Sequence, residues 1–221
     1  MKDKIVLMSK ERSKFPYFEL QSLWGFTKHG GGLKATKELI KLCKIKENEY
    51  VLDIGCGVGA AACYIVKNHG CRVVDIDISE EMIWEANNRA EKEGLKDKVE
   101  FKVADVQNLP FEDNSFDVVI GESILAFLED KQRGIRECKR VVKQGGYIGF
   151  NEGTWIKNPP TELVKYILKV TGGRFETSDG WKRLIESSGL RDIIVKTYKL
   201  TLLSKIDEIR MYGFKDYLRS L

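Results

Sequence analysis

From residue 33 onward, the hydrophobic positions alternate between the spacing of amphipathic helices and the short continuous runs of buried strands. Strand-like runs, rich in Val, Ile and Leu, cover residues 50–54, 72–77, 99–103, 116–120 and 147–151. The helical spacing predicts helices over residues 33–43, 60–68, 80–93 and 130–143. Strands that alternate with helices indicate a mostly parallel sheet covered on both faces. The predicted fold class is therefore a doubly wound α/β fold.

The length predicts one domain, because 221 residues leave no room for two ordinary ones. We divide residues 1–221 into four parts: an amino-terminal cover (1–32), a core (33–152), a lid insertion after the fifth strand (153–178), and a closing helix, strand and final helix (179–221). Residues 192–200 form the predicted sixth strand, and a seventh strand is not evident. An edge left open in this way is compatible with a monomer or with a homodimer.

The sharpest local signal is a glycine-rich turn between the first predicted strand and the next helix. Gly55, Gly57 and Gly59 allow the backbone to approach a ligand closely, with Cys56 between the first two. Gly55, Gly57 and Ala60 also satisfy the G-x-G-x-x-G/A fingerprint of nicotinamide dinucleotide enzymes. Asp53, two residues before the turn, would repel a pyrophosphate and attract a cationic ligand. The turn therefore favours a cationic cofactor.

Charge is unevenly distributed along the chain. Residues 1–50 carry 11 basic and 6 acidic side chains, residues 51–156 carry 13 and 19, and residues 157–221 carry 13 and 8. This pattern lacks the dense basic footprint of a nucleic-acid-binding protein, so we expect no nucleic-acid partner. We expect a cytoplasmic location without an integral membrane segment, because no apolar run is long enough to span a bilayer and no secretory signal is evident. Peripheral contact with a membrane surface stays open.

The cysteines do not indicate a metal site. Their number is odd, no C-x-x-C pair occurs, and we therefore expect reduced thiols and no bound metal. The five positions are Cys43, Cys56, Cys63, Cys71 and Cys138.

Five segments, in order, resemble the class I S-adenosylmethionine-dependent methyltransferases. They are Asp53–Gly59, Asp75–Met82, Ala104–Phe111, Phe116–Val119 and Lys143–Tyr147. The resemblance implies a Rossmann-like fold and S-adenosyl-L-methionine as cofactor, with S-adenosyl-L-homocysteine as product. It also implies roles for the cofactor-binding candidates: the glycine turn for the methionine part, Asp77 for the ribose and Asp105 for the adenine amino group. The full set of candidates is Asp53, Gly55, Cys56, Gly57, Gly59, Asp77, Ile78, Met82, Ala104, Asp105, Val106 and Glu122.

The ribose position has two candidates. Alternation along the second strand places Asp75 and Asp77 on the same face, and Asp77 lies nearer the strand end. Within the family, residues 28–36, 121–127 and 151–152 resemble the methyltransferase type 11 branch, allied to ubiquinone and menaquinone biosynthesis. That resemblance implies a small-molecule acceptor.

Methyl transfer by in-line displacement requires mainly alignment and exclusion of water, and a base only where the acceptor must lose a proton. The candidate catalytic residues are Glu122 and Glu152, which follow the fourth and fifth strands, and His29 beside the amino-terminal glycines. We expect a small organic acceptor: an amine, a phenol or quinone, or a lipid-like molecule. Two alternatives remain open, a non-catalytic cofactor-binding subunit of a complex and a nicotinamide-dependent oxidoreductase.

Overall fold

The computed structural model describes residues 29–198, so the predicted cover over residues 1–28 and the final helix lie outside the described residues. The described strands of the main sheet are all parallel, in the order β3-β2-β1-β4-β5. Their bounds are β1 Tyr50–Ile54, β2 Arg72–Asp77, β3 Val99–Val103, β4 Phe116–Glu122 and β5 Val142–Asn151. The doubly wound parallel sheet is confirmed.

Helices cover both faces of the sheet, as the alternating pattern predicts. They are α1 Gly32–Leu42, α2 Ala60–His69, α3 Glu80–Lys92, α4 Lys131–Val141, α5 Thr161–Thr171 and α6 Ser178–Ser187, with short 3-10 helices at Val106–Asn108 and Leu125–Phe127. The predicted helix boundaries agree to within two residues. Sequence signals explain some of them: Ser79 caps α3 by accepting a hydrogen bond from the Met82 amide, and Gly70 ends α2 in the left-handed conformation.

Strand alternation divides the core into two layers. In β1, Val51 packs with α1 and α2 on one face of the sheet, whereas Leu52 and Ile54 pack with α4 on the other. All three side chains are fully buried. Successive strands are added to one side of β1 up to β3 and to the other side from β4 onward, so the topological switch point lies between β1 and β4. The carboxyl ends of these two strands border the crevice in which such sheets bind ligands.

The insertion after β5 contains more structure than one helix. Two short strands, β6 Thr154–Trp155 and β7 Glu176–Thr177, pair with each other in parallel, and α5 lies between them in the sequence. The predicted sixth strand of the main sheet is wrong over residues 192–198, which form no strand. Ile194 and Val195 are exposed there, and Lys196 instead pairs with Glu38 on α1. A β-prone segment needs a paired neighbour to form a strand, and β5 pairs only with β4 among the described residues.

Candidate active site at the carboxyl edge of the sheet

The glycine turn crosses the end of β2. The Gly55 and Cys56 amides both donate to the Ile76 carbonyl, at 2.7 and 2.9 Å. Gly55, Gly57 and Gly59 have φ angles of 80°, 51° and 71°, in a region of backbone conformation that residues other than glycine rarely adopt. The turn therefore needs glycine for its backbone conformation as well as for close approach.

Asp77 connects this turn to the start of α3. Its Oδ2 accepts from the Gly57 amide at 3.0 Å, and its Oδ1 accepts from the Ser79 amide at 2.9 Å. An ionised carboxylate offers about four acceptor positions. Each oxygen of Asp77 therefore retains capacity for a further donor, such as a ribose hydroxyl.

Two further carboxyl groups lie beneath the turn. Asp53 and Asp75 face each other across β1 and β2, and both are buried. The pKa of Asp53 is raised well above its ordinary value, mainly by burial and then by repulsion from Glu122 and Asp77. The pKa of Asp75 is also raised well above its ordinary value, mainly by burial and then by repulsion from Asp53 and Asp77. Neither oxygen of Asp75 has a hydrogen-bond partner within residues 29–198. Of the two ribose candidates, the half-buried Asp77 is the one at the surface of the site.

The residues predicted to bind adenine lie at the ends of β2 and β3. Asp105 caps the short helix that follows β3, its Oδ1 accepting from the Gln107 amide at 2.8 Å, and it remains partly exposed. The side chain of Ile78 is 74% exposed and forms an open apolar surface beside Asp77. Ala104 is half-buried, whereas the side chains of Met82 and Val106 are buried in the hydrophobic core.

Glu122 ends β4 and is the centre of a buried hydrogen-bond cluster. Its Oε2 lies 3.1 Å from His29 Nδ1, and its Oε1 accepts from the Thr36 hydroxyl at 2.9 Å. The Thr36 oxygen is also 3.3 Å from His29 Nε2. Both ring nitrogens of His29 therefore have protein partners. The contact with Glu122 is a hydrogen bond when Nδ1 carries a proton, because a carboxylate oxygen can only accept.

Asn151, which ends β5, extends this cluster towards the amino-terminal glycines. Its Nδ2 donates to Glu122 Oε2 at 3.1 Å and to the Gly30 carbonyl at 2.8 Å, while its Oδ1 accepts from the Tyr198 hydroxyl at 2.8 Å. The Tyr198 phenol is a donor at neutral pH already at its ordinary pKa of 10, and burial raises that pKa further, to about 12. We refer to these residues as the Glu122 cluster: His29, Thr36, Glu122, Asn151 and Tyr198.

Glu152 faces the backbone after β4. Its Oε1 accepts from the amides of Ile124 and Leu125, at 2.9 and 2.7 Å, while its Oε2 is buried without a partner in the described part of the chain. Burial raises the pKa of Glu152 to about 7. Ile124 in turn lies over Gly55, where an added Cβ would come within 2.9 Å of it. Glu152 thereby positions the segment that contacts the glycine turn.

The structure brings Glu122 and His29 together and places Glu152 nearby with backbone partners of its own. Sequence reasoning did not name Thr36, Asn151 or Tyr198 as candidate site residues. Thr36 carries a recognisable signal, a polar residue on the apolar stripe of α1 between Leu33 and Ile40. Tyr198 carries none, because its contact depends on where an irregular segment crosses the end of β5.

The carboxylates fit the family's cofactor. Asp77 and Asp105 offer acceptors to hydroxyl and amino donors, and Asp53 and Glu122 place two further carboxyl groups close to the turn, whose ionised forms a bound cation would favour. A cationic ligand without phosphate suits this site, whereas a pyrophosphate would meet several carboxyl groups. The observation agrees with the resemblance drawn from the sequence.

Comparisons with known proteins lead to the same family. Residues 52–150 match the family model described as a methyltransferase domain. The chain is 33% identical over 178 residues to an uncharacterized protein of Haemophilus influenzae, covering 79% of this chain and 71% of that protein. It is 33% identical over 167 residues to phosphoethanolamine N-methyltransferase 1 of Arabidopsis thaliana, covering 75% of this chain and 33% of that protein. The chain thus spans about a third of the length of that plant enzyme.

Among solved structures, the chain is similar to phosphoethanolamine N-methyltransferase 2 of Haemonchus contortus in complex with S-adenosyl-L-methionine. The TM-score is 0.74 at 22% identity, covering 92% of this chain and 48% of that one. This likeness establishes the fold. From the fold, the family model and the relatives together, the chain belongs to the class I S-adenosyl-L-methionine-dependent methyltransferases.

Proposed function

We propose that this chain transfers a methyl group from S-adenosyl-L-methionine to a small organic acceptor: an amine, a phenol or quinone, or a lipid-like molecule. The observation that carries the proposal is the position of Asp77. Its carboxylate is fixed by the Gly57 and Ser79 amides beside the glycine turn and retains acceptor capacity towards the crevice.

We assign the cofactor-binding roles from the family resemblance, and this geometry supports them. The turn Gly55–Gly59 and Asp53 hold the methionine part, and Asp77 accepts hydrogen bonds from the ribose hydroxyls. Asp105 accepts from the adenine amino group, and the exposed side chain of Ile78 contacts the ring. When bound, the cofactor supplies a methyl group already activated by its sulfonium, so the chain has to align the acceptor and exclude water.

The acceptor binds on the other half of the crevice, against the Glu122 cluster. Glu122 Oε2 and His29 Nδ1 lie 3.1 Å apart at the end of β4, so this pair is the proposed proton acceptor for a substrate that must lose one. Glu152 contributes by positioning the backbone of Ile124 and Leu125, which borders both halves of the site. The phosphoethanolamine N-methyltransferases among the relatives make small amines the first acceptors to try.

A non-catalytic cofactor-binding subunit is the second candidate. It is favoured by one observation: both ring nitrogens of His29 and both oxygens of Glu122 already have protein partners, so that an unengaged base is not exposed among these residues. The family assignment argues against the nicotinamide-dependent alternative.

The experiment that tests the proposal has two stages. Calorimetric titration with S-adenosyl-L-methionine, S-adenosyl-L-homocysteine and NADPH should give binding of the first two alone. Single-turnover assays with the methyl-labelled cofactor, against a panel of small amines, phenols, quinones and lipids, should then give a labelled product. Cofactor binding without transfer to any acceptor would favour the subunit, and binding of NADPH alone would refute both.

A further inference from the structure

The insertion after β5 is anchored beside the candidate active site. The Arg174 amide donates to the Ala126 carbonyl at 2.7 Å, just after β4. The Trp155 indole nitrogen donates to the Phe175 carbonyl at 3.0 Å, and the Phe175 ring meets the edge of Phe127. Both ends of the insertion are therefore held near the carboxyl edge of the sheet, and α5 lies between them in the chain.

The outer face of α5 is apolar and uncovered by the described residues. Leu163, Tyr166 and Val170 follow at intervals of three and four, which places them on one face of the helix, and all three are exposed. None of the eleven residues of α5 is buried. Ile156, in the segment that leads into the helix, is 92% exposed. Together these four residues form what we call the α5 apolar face.

Basic side chains border this face. Lys169 lies three residues after Tyr166 on the helix, and Lys157 follows Ile156. Neither has an ion-pair partner within residues 29–198, whereas Lys165 pairs with Glu162 at 3.1 Å. Residues 153–178 carry four basic and two acidic side chains. An apolar stripe bordered by ammonium groups suits the boundary between headgroups and acyl chains, where the lysines meet anionic lipids.

We propose that the α5 apolar face docks on an anionic lipid bilayer. Leu163, Tyr166, Val170 and Ile156 enter the boundary region, and Lys157 and Lys169 contact the headgroups. Because the insertion is anchored at Ala126 and Phe127, docking through α5 keeps the acceptor half of the crevice near the bilayer, a consequence that rests on the proposed function.

Vesicle cosedimentation of the whole chain tests the docking. The probes are vesicles of phosphatidylcholine alone and of phosphatidylcholine mixed with phosphatidylglycerol, at low and high salt. We expect the chain to partition onto the anionic vesicles about tenfold more strongly, with salt weakening the binding. The double variant Tyr166→Glu, Val170→Glu should lose about tenfold or more, because it places charge where apolar surface enters the lipid.

A matched control separates this face from general surface apolarity. Trp84 on α3 is 62% exposed, as is Tyr166, so Trp84→Glu changes an equally exposed apolar side chain elsewhere. We expect Trp84→Glu to bind vesicles as the unmodified chain does. All variants should bind S-adenosyl-L-methionine equally, which verifies that they are folded.

Three outcomes would overturn the docking proposal. In the first, the unmodified chain stays in solution in the presence of anionic vesicles. In the second, the double variant and Trp84→Glu bind the vesicles equally. In the third, the unmodified chain binds no vesicles and forms a dimer that the double variant abolishes, which would assign the face to a second copy. Loss of cofactor binding in the unmodified chain would instead refute the proposed function, while vesicle binding would still stand.

Discussion

Thr36→Val tests whether the Glu122 cluster is a single stabilising unit. Thr36 is completely buried, and its hydroxyl is placed between Glu122 Oε1 and His29 Nε2. Valine retains nearly the same shape but cannot donate or accept. The substitution therefore leaves a carboxylate oxygen and a ring nitrogen without their partner while filling the same space.

The expected cost follows from these contacts. A hydrogen bond to a charged group contributes about 1.5–3 kcal/mol, and the additional buried methyl group returns about 0.8 kcal/mol. The free energy of unfolding should fall by about 1–2 kcal/mol. For a chain of this length, such a loss lowers the melting temperature by roughly 2–8 °C.

Urea denaturation, followed by circular dichroism, measures the change. Thr154→Val is the matched control, because the Thr154 hydroxyl donates to a neutral carbonyl at an exposed position. The control should change the free energy of unfolding by less than about 0.5 kcal/mol. If Thr36→Val proved as mild as the control, the cluster would not be the stabilising unit described here.

Three further predictions concern the site. Asp77→Asn should weaken binding of S-adenosyl-L-methionine by about 1.5–3 kcal/mol in calorimetry, since it replaces an acceptor with a donor, and unchanged affinity would remove Asp77 from the site. Gly55→Ala should destabilise the chain more than Gly145→Ala in urea denaturation, because both have φ near 80° but only the Cβ at Gly55 meets a neighbour; equal losses would contradict the close contact. Glu152→Gln should flatten the pH dependence of stability. The folded-state pKa, about 7, lies above the ordinary value of 4.5, so protonation of Glu152 stabilises the fold fully below pH 4.5 and progressively less as pH rises through 7. Relative to the variant, the free energy of unfolding of the unmodified chain should fall by about 2–3 kcal/mol from pH 5 to pH 8, and parallel curves would refute the assignment.

The parallel sheet was predictable because each of its strands has a recognisable hydrophobic pattern in the local sequence. Residues 51–54 are apolar except for Asp53, a pattern typical of a strand covered on both faces. The capping residues Ser79 and Gly70 likewise mark helix ends by local chemistry. Elements of this kind need no information about distant parts of the chain.

The site was predictable only in part, since its contacts join residues far apart in the sequence. The family pattern points to Asp77 and Asp105, but Asn151 reaches Gly30 across 121 positions. The failed strand over residues 192–198 has the same cause. Its β-branched residues favour a strand, yet a strand forms only where the segment pairs with a neighbour such as β5, and no local pattern reports whether it does so.

The strand order has a consequence for how this chain could change. The strands β2 and β3 lie on one side of β1, and the strands β4 and β5, with the insertion that follows, lie on the other. Substitutions over the insertion, residues 153–178, can therefore accumulate without touching Asp77 or Asp105. A chimera that received this insertion from a relative should adopt the relative's acceptor preference and retain the cofactor affinity of the parent, which makes the insertion and the cofactor half of the sheet separate units for evolution and for engineering.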